Sequence, residues 1–313
     1  MNHDAPLVAT PVLAGDHSRL TRADELARRV ARTLDLPVPR RERVSMNAVY
    51  VAGPCAIRVC RPTSDPVVAI RAARHLTERG LHVALPFHEE SFVDPEVDPE
   101  LGATAWHHID IDSSREPDWS DVGRMIRELH SLTPSEMSAI HPLPLAGRFP
   151  WWEVGGTIDE LATLRPLEEV RILRAALDRL TWVTPHIRDA HDDHVVVHGD
   201  LHPGNVVVDA RTGRSVILDW DLLARCPRGW DHAPLLRWTQ RWGGRTGIYE
   251  DFASGYGTDL SQDPISRGIA ELRLLVATVM RVRAATTDDS ARDEADKRVG
   301  YWAGIDSRTW TAV

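Results

Sequence analysis

Lysine is almost missing from this sequence. Lys297 is the only one, so every other basic residue that is not histidine is an arginine. Arginine keeps its charge in any protein environment and binds carboxylate or phosphate through a planar fork, whereas a buried lysine readily loses its charge. A mechanism that needs a buried lysine must therefore use Lys297 or place an arginine instead.

Cysteine and long apolar runs are also scarce. The three cysteines, Cys55, Cys60 and Cys226, form no spaced disulfide framework, so a reducing cytoplasm is the expected setting. No run of 18 or more apolar residues is present, and residues 1–19 lack the basic and apolar regions of a secretory signal. The net charge of -9 argues against a nucleic-acid partner, which would need a basic face. We therefore expect a cytoplasmic protein with a small-molecule partner and no nucleic-acid or membrane partner.

The pattern of apolar residues changes near residue 110 of the 313-residue chain. Residues 1–109 contain short segments typical of strands, whereas residues 110–118 are polar and rich in turn formers, and we interpret them as a linker. Beyond them, apolar residues recur at helical spacing. The sequence predicts an α+β fold with a small β-rich N-terminal lobe, residues 1–109, and a larger helical C-terminal lobe, residues 110–313.

Local signals predict individual elements. Thr21 and Asp24 resemble a capping box at the start of a helix that ends at "LPVPRRERV". Two strands are expected around Gly53-Pro54, and a helix from Pro66 to about residue 80. Further strands are expected at "HVALPF" and "GATAWHHI", and further helices near residues 119–132, 166–181 and 268–285.

The segment "VVVHGDLHPGNVVVD", residues 195–209, carries polar residues between two apolar runs. Asp200 and Asn205 follow His198 in the form H-x-D-x-x-x-x-N, and a second predicted strand, "SVILD", ends at Asp219. Because a hairpin brings its two ends together, Asn205 and Asp219 should lie close together, with Asp200 beside them. Carboxylate and amide oxygens of this kind suit Mg²⁺.

This set of residues suits phosphoryl transfer, whose loose transition state needs positioning and charge neutralisation more than a strong base. Asp200 would orient an acceptor hydroxyl and take its proton late, and His198 would brace the loop. Asn205 and Asp219 would hold Mg²⁺ against the nucleotide phosphates. Each residue alone could equally be a turn former, but the joint pattern favours the catalytic interpretation. Asp221 could assist the metal or hydrogen-bond the turn, and we favour the turn.

The segment "HGDLHPGN", followed by "ILDWD", resembles the aminoglycoside phosphotransferase and choline kinase family, which has the protein-kinase-like two-lobe fold. "WDHAPL" resembles the family's Asp-x-Ala segment, which implies that Asp231 supports the catalytic loop. The resemblance extends from about residue 45 to 285 and is strongest over 195–235. It implies Mg²⁺-dependent transfer of phosphate from ATP or GTP to a hydroxyl of an aminoglycoside-like antibiotic, a sugar or an amino alcohol.

The N-terminal part departs from the kinase pattern. A strand lysine normally grips the nucleotide phosphates and pairs with a helix glutamate, but "CAIRVCRP" has Arg58 in that place. Strand alternation puts Ala56, Arg58 and Cys60 on one face, so Ala56 would border the adenine and Arg58 the phosphates. The helix that should carry the glutamate has no acidic residue in its middle. Arg58 would therefore be positioned by phosphate alone or by a carboxylate elsewhere.

Other segments give less specific signals. "SMNAVYVAG" is not a G-x-G-x-x-G loop. Ser45, Asn47 and backbone N–H groups could still contact phosphate, and an ordinary strand and turn is an equally good interpretation. His108, in "AWHHI", is expected to offer backbone groups to the adenine edge. The histidines between 186 and 202 lack zinc-site spacing, which favours solvated or hydrogen-bonded histidines. The missing lysine–glutamate pair leaves open a catalytically degenerate kinase fold that binds or senses nucleotide.

Overall fold

The computed structural model describes residues 16–61 and 65–311, and these ranges contain nine β-strands and eleven α-helices. Residues 1–15, on which the expectation of no secretory signal mainly rests, lie outside the described residues. The strands are β1 (Arg40–Val44), β2 (Ala48–Ala52), β3 (Cys55–Cys60), β4 (Phe92–Val93), β5 (Gly102–His107), β6 (Val195–Val197), β7 (Val206–Val208), β8 (Ser215–Ile217) and β9 (Ala224–Cys226). The helices are α1 (His17–Thr33), α2 (Val67–Glu78), α3 (Trp119–Ser131), α4 (Pro134–Ser138), α5 (Val154–Leu161), α6 (Leu167–Asp178), α7 (Thr184–Arg188), α8 (Gly229–Trp242), α9 (Ile248–Tyr256), α10 (Pro264–Ala284) and α11 (Arg292–Trp302).

The chain forms two compact units. The first unit comprises Met1–Pro117, Ser135–Pro142 and Val206–Asp221. The second unit comprises Asp118–Pro134, Leu143–Asn205 and Leu222–Val313. The hairpin β7–β8 and Asp219 therefore belong to the first unit, whereas Asp200 and Asn205 belong to the second.

The first unit is built on a five-stranded antiparallel sheet with the strand order β1-β2-β3-β5-β4. In β3, Ile57 and Val59 are buried in a core that the sheet forms with α1. Ala56, Arg58 and Cys60 are only half-buried, because alternate residues of a strand point to opposite faces. The alternation predicted for this strand is confirmed.

Helix α1 begins earlier than expected. Asp16 caps it by accepting a hydrogen bond from the backbone N–H of Arg19 (2.9 Å). Asp24, which was expected in a capping box with Thr21, accepts a hydrogen bond from the Tyr50 hydroxyl instead (2.9 Å). The capping-box prediction is therefore wrong, because Asp16 supplies the cap one turn earlier and Asp24 ties α1 to β2.

Two of the strand predictions need correction. Residues 82–87 form no strand and make only isolated bridges, including one between Pro86 and Trp106. Pro86 has no N–H group, so it cannot continue a ladder. Conversely, β1 lies in the segment that was expected only to end a helix. It is an exposed edge strand of mostly charged residues, so its apolar pattern gives no signal. The predictions of β2, β3, β5 and α2 are confirmed.

The segment expected to be a linker is partly ordered against the hairpin β7–β8. The N–H of Ala210 donates to the carbonyl oxygen of Asp110 (2.7 Å), and the N–H of Asp112 donates to that of Val208 (2.9 Å). Residues 110–112 are therefore a paired part of the first unit rather than a loose connection.

The second unit packs its helices around a core to which α10 contributes many buried apolar residues. Helices α3 and α9 approach so closely that a Cβ on Gly123 would lie 2.1 Å from the carbonyl oxygen of Phe252. Glycine permits this close approach because it has no side chain. The helices predicted near residues 119–132, 166–181 and 268–285 are confirmed as α3, α6 and α10. Among the described helices, none is both long and apolar enough to cross a membrane.

Candidate active site

Strand β6 leads directly into the loop 198–205, and its three valines are buried. Gly199 has a φ of +92°, and a Cβ there would lie 2.0 Å from the carbonyl oxygen of Leu222. Only glycine fits this position without moving the backbone, which lets the chain turn sharply. The turn leads into Asp200, whose side chain is 38% exposed.

A buried carboxylate holds the backbone of this loop. Asp231, on α8, is fully buried and accepts hydrogen bonds from the backbone N–H groups of His198 (2.7 Å) and Gly199 (3.1 Å). His130, on α3, adds a third contact at 3.2 Å. Burial acts to raise the pKa of Asp231, but the hydrogen bond with His130 and the nearby histidine charges outweigh it and hold the pKa below its usual value. Asp231 is therefore an anionic anchor for the loop.

Asp200 forms an ion pair with Arg273 of α10. Arg273 Nη2 donates to the Asp200 carboxylate (2.7 Å), and Nη1 donates to the carbonyl oxygen of Gly199 (3.1 Å). The guanidinium carbon lies 5.6 and 5.2 Å from the ring centroids of Trp152 and Trp230. No sequence signal connects Arg273 to a loop 73 positions upstream, so sequence reasoning gave it no role.

The pKa of Asp200 is held well below its usual value. Burial acts to raise this pKa, but the hydrogen bond with His202 and the positive charge of Arg273 outweigh the effect of burial. Asp200 is therefore a carboxylate throughout the neutral range and can accept a hydrogen bond from a hydroxyl group.

Asn205 ends the loop, and its side chain is turned back toward it. The buried Nδ2 group donates to the backbone carbonyl oxygen of Asp200 (2.9 Å). This orientation leaves Oδ1 as the side-chain atom suited to a cation. The next residue begins the hairpin, in which Val206 pairs with Ile217, so the predicted hairpin is confirmed.

Asp219 lies two residues beyond the end of β8. Its φ of +63° is in the left-handed region, which is uncommon for a residue other than glycine. Such a conformation persists where surrounding contacts hold it, often at functional sites. The expected proximity of Asp219 to Asn205 stays a prediction, because the two residues belong to different units.

Arg58 is the centre of a charged cluster within the first unit. Its Nη1 donates to Asp221 Oδ1 (2.5 Å), and its Nη2 donates to Asp221 Oδ2 and to Asp219 Oδ1 (3.0 Å). With the Asn47 amide oriented to accept, its oxygen lies 3.3 Å from Arg58 Nε. The interpretation of Asp221 as a turn residue is corrected, because its carboxylate faces Arg58. Local patterns cannot reveal a pair whose members are 163 positions apart.

The pKa values of Arg58 and of the neighbouring Cys60 are both shifted in this cluster. Burial acts to lower the pKa of Arg58, but the Asp221 and Asp219 carboxylates outweigh it and raise the pKa. Burial raises the pKa of the neighbouring Cys60 thiol to about 12. At neutral pH the cluster therefore contains a guanidinium cation and a protonated thiol.

Ala56 and His108 lie in the same unit as Arg58. Ala56 occupies the half-buried face of β3, two residues before Arg58. The His108 N–H donates to the carbonyl oxygen of Pro54 (2.8 Å), so this N–H is already engaged within the unit. Nucleotide contacts by Ala56, Asn47 and His108 stay predictions.

The histidines before the loop contact backbone carbonyl groups. His194 Nε2 lies 2.9 Å from the carbonyl oxygen of His186, and His191 Nε2 lies 3.2 Å from that of Pro185. Within residues 16–61 and 65–311, no three His, Cys, Asp or Glu side chains are grouped so that they could hold a metal ion. These two histidines are thus hydrogen-bonded, as the sequence favoured.

The chain is similar to known phosphotransferases in its sequence pattern and in its fold. A model of the phosphotransferase enzyme family matches residues 67–297, whereas no curated protein matches the chain. A spectinomycin phosphotransferase, APH(9)-Ia, in complex with ADP and spectinomycin, is similar in structure, with a TM-score of 0.60 and 14% identity over 87% of this chain and 93% of that chain.

Two further solved structures show the same likeness. The amicoumacin kinase hAmiN, in complex with AMP-PNP and Ca²⁺, has a TM-score of 0.65 and 14% identity over 94% of this chain and 98% of that chain. A choline/ethanolamine kinase family protein from Mesorhizobium loti has a TM-score of 0.59 and 17% identity over 92% of this chain and 94% of that chain. At sequence identities of 14% and 17%, the similarity to these solved structures shows the fold alone. Because the family model spans well over half of its residues, the chain belongs to the phosphotransferase enzyme family and has the family's kinase-like α+β fold.

Proposed function

We propose that this protein transfers the γ-phosphoryl group of ATP or GTP to a hydroxyl group of a small molecule. The observation that carries the proposal is the loop geometry. Asp231 holds the backbone at His198 and Gly199, and Arg273 holds the adjacent Asp200 as a carboxylate. A loop held in this way fixes the position of one anionic side chain, and phosphoryl transfer depends on positioning and charge neutralisation more than on a strong base.

In this proposal Asp200 contacts the acceptor. Its carboxylate accepts a hydrogen bond from the acceptor hydroxyl, orients the oxygen for attack and takes the proton late in the reaction. The low pKa of Asp200 makes it a weak base. A weak base suits a loose transition state, in which the bond between the γ-phosphorus and the leaving oxygen is largely broken before the proton moves. His198 acts through its backbone N–H, which is bonded to Asp231.

The donor atoms fit Mg²⁺ as the metal cofactor. Asn205 offers Oδ1 and Asp219 offers a carboxylate, and Mg²⁺ typically takes one or two carboxylates together with phosphate and water oxygens. When bound, the ion would neutralise charge on the nucleotide phosphates.

Arg58 is proposed to contact the nucleotide phosphates in place of the kinase lysine. A guanidinium can bind a phosphate through two parallel hydrogen bonds and stays charged when buried. Its Nη1 makes one hydrogen bond to the described residues, which leaves a second N–H for a phosphate oxygen. Asn47 lies beside Arg58, and we propose that Ala56 and the His108 carbonyl border the adenine.

The acceptor is proposed to be an aminoglycoside-like antibiotic, a sugar or an amino alcohol. This class rests on the similar structures, which include enzymes named for spectinomycin, amicoumacin and choline or ethanolamine. The net charge of -9 is compatible with a cationic acceptor.

A second candidate function is a nucleotide-binding module without catalysis. The feature that favours it is α2, in which no acidic residue precedes Glu78, so the usual glutamate partner of the phosphate-gripping side chain is missing. This candidate requires nucleotide affinity but does not require Asp200.

Nucleotide turnover with a panel of hydroxylated acceptors separates the two candidates. We expect Mg²⁺-dependent turnover by the wild-type protein and a loss of roughly 100-fold or more in Asp200→Asn, since general base groups contribute about that much. Asp192→Asn, at an exposed position in the same unit, should retain full activity. Tight nucleotide binding with no turnover for any acceptor would support the binding module instead.

A further inference from the structure

Arg58, the arginine proposed to bind the nucleotide phosphates, has its acidic partner in an unexpected part of the chain. In kinase folds the strand lysine pairs with a glutamate on the following helix. The corresponding helix here, α2, contains valine, alanine, isoleucine, arginine, histidine, leucine and threonine before its last residue, Glu78. The helix therefore offers no carboxylate in its middle turns.

The described contacts give Arg58 a different partner. Asp221 receives two hydrogen bonds from the two terminal nitrogens of the guanidinium, which is the paired geometry that arginine and carboxylate prefer. Asp219 receives a third, and the Asn47 oxygen lies next to Nε. The Arg58 side chain is only 15% exposed, so water screens these contacts less than it would on the surface.

We propose that Asp221 is the positioning residue for Arg58 and replaces the missing helix glutamate. This inference rests on the proposed function, in which Arg58 contacts the nucleotide phosphates. Asp221 fixes the plane of the guanidinium, so that the remaining Nη1 N–H has one direction. The pair also joins β3 to the segment that carries Asp219, which is the proposed metal ligand.

The segment that carries Asp221 is suited to this task. It is a single turn of 3-10 helix, Trp220–Leu222, directly after Asp219. The buried Trp220 side chain donates from Nε1 to the carbonyl oxygen of Ile217 (2.9 Å), which ties the turn to the end of β8. The described hydrogen-bond partners of Arg58 are Asp221, Asp219 and Asn47, and none of them lies in α2.

A direct metal-binding role for Asp221 is the main rival, and a double-mutant cycle separates the two roles. The variants are Arg58→Ala, Asp221→Asn and their combination, with kcat for phosphoryl transfer as the first readout. If Asp221 acts through Arg58, each single change lowers kcat by roughly tenfold or more, and the combination lowers it no further than Arg58→Ala alone. Effects that multiply in the double variant would overturn the proposal.

Mn²⁺ binding to the ADP complex, followed by electron paramagnetic resonance, gives a readout that does not depend on activity. Asp219→Asn removes a proposed carboxylate ligand and should weaken Mn²⁺ binding by roughly tenfold, whereas Asp221→Asn removes no proposed ligand and should leave it within about twofold of wild type. A large loss in Asp221→Asn would make this residue a metal ligand and overturn the proposal. Asp289→Asn is the matched control, since it removes a carboxylate paired with Arg292 at 2.8 Å on the surface.

Thermal unfolding of the same variants tests the Arg58–Asp221 pair independently of activity. If Arg58 and Asp221 interact directly, the Tm losses of Arg58→Ala and Asp221→Asn should not add in the combined variant. Additive losses would contradict the pairing even in a protein with no measurable transfer. A wild-type protein that binds no nucleotide would contradict the proposed function, whereas uncoupled effects in a protein that binds nucleotide contradict only the role given to Asp221.

Discussion

Arg273 and Asp200 are joined by an ion pair in which Arg273 Nη2 donates to the carboxylate at 2.7 Å. The arginine comes from the middle of α10, lies over the rings of Trp152 and Trp230, and is only 14% exposed. It also bonds the carbonyl oxygen of Gly199, the residue that precedes Asp200. A residue distant in sequence thus helps to lower the pKa of the proposed catalytic side chain and fixes its direction.

The first prediction concerns this ion pair. Arg273→Gln should lower kcat by roughly tenfold to a hundredfold, since misplacing a reacting group by about 1 Å can have that effect. Loss of the positive charge should also raise the pKa of Asp200, which the wild-type contacts hold well below its usual value. The acid limb of the kcat profile should therefore move to higher pH, which a pH–rate series measures. Arg267→Gln, at an exposed position on the same helix, should leave the profile unchanged.

The second prediction concerns Asp231. Asp231→Asn places an NH₂ group against backbone N–H donors, so the free energy of unfolding should fall by about 3–5 kcal/mol. The pKa of Asp231 is lowered in the folded state, so its contribution is present above the pKa of the unfolded chain, about 3.9, and is lost as the pH falls through the folded value. Urea unfolding between neutral and acidic pH measures both effects. The stability difference between wild type and variant should narrow toward acidic pH, and a constant difference would contradict the assigned charge.

The third prediction concerns Gly199. Gly199→Ala should lower both stability and activity, because its φ of +92° disfavours alanine and the added Cβ would lie 2.0 Å from the Leu222 carbonyl oxygen. A loss of about 2 kcal/mol or more is expected from the strain together with the displaced backbone. Gly156→Ala is the control, since it lies in α5 with no atom within 4 Å of the new Cβ. That change should be neutral or stabilise the helix by up to about 1 kcal/mol.

The fourth prediction concerns the thiols. Burial raises the pKa of Cys60 to about 12 and that of Cys55 to about 11, and it also raises the pKa of Cys226. The thiolate is the reactive form, so native protein should react slowly with a disulfide reagent near pH 8. In denaturant all three thiols should react quickly. A fast phase in the native protein would show that one thiol is more accessible or more acidic than these contacts allow.

Much of the fold follows from local patterns. The two strands around Gly53-Pro54, the helix α10 and the hairpin β7–β8 all have apolar periodicities or turn residues that act over short distances. The incorrect predictions of secondary structure also have local causes. Strand β1 is exposed and charged, so its pairing depends on backbone bonds to β2. The cap of α1 at Asp16 competes with the signal at Thr21, and pattern alone does not rank two adequate caps.

The residue types proposed for the candidate site can be predicted from the sequence alone. The sequence alone predicts a hairpin flanked by Asp200, Asn205 and Asp219. It also places Arg58 where kinase folds have a lysine. The ion-pair partners of these residues become visible only in the folded chain. Arg273 pairs with Asp200 across 73 positions and Asp221 with Arg58 across 163, and helix and strand periodicity carry no information over such distances. Which charges meet depends on how whole elements pack, because packing is set by many apolar contacts at once rather than by any local pattern.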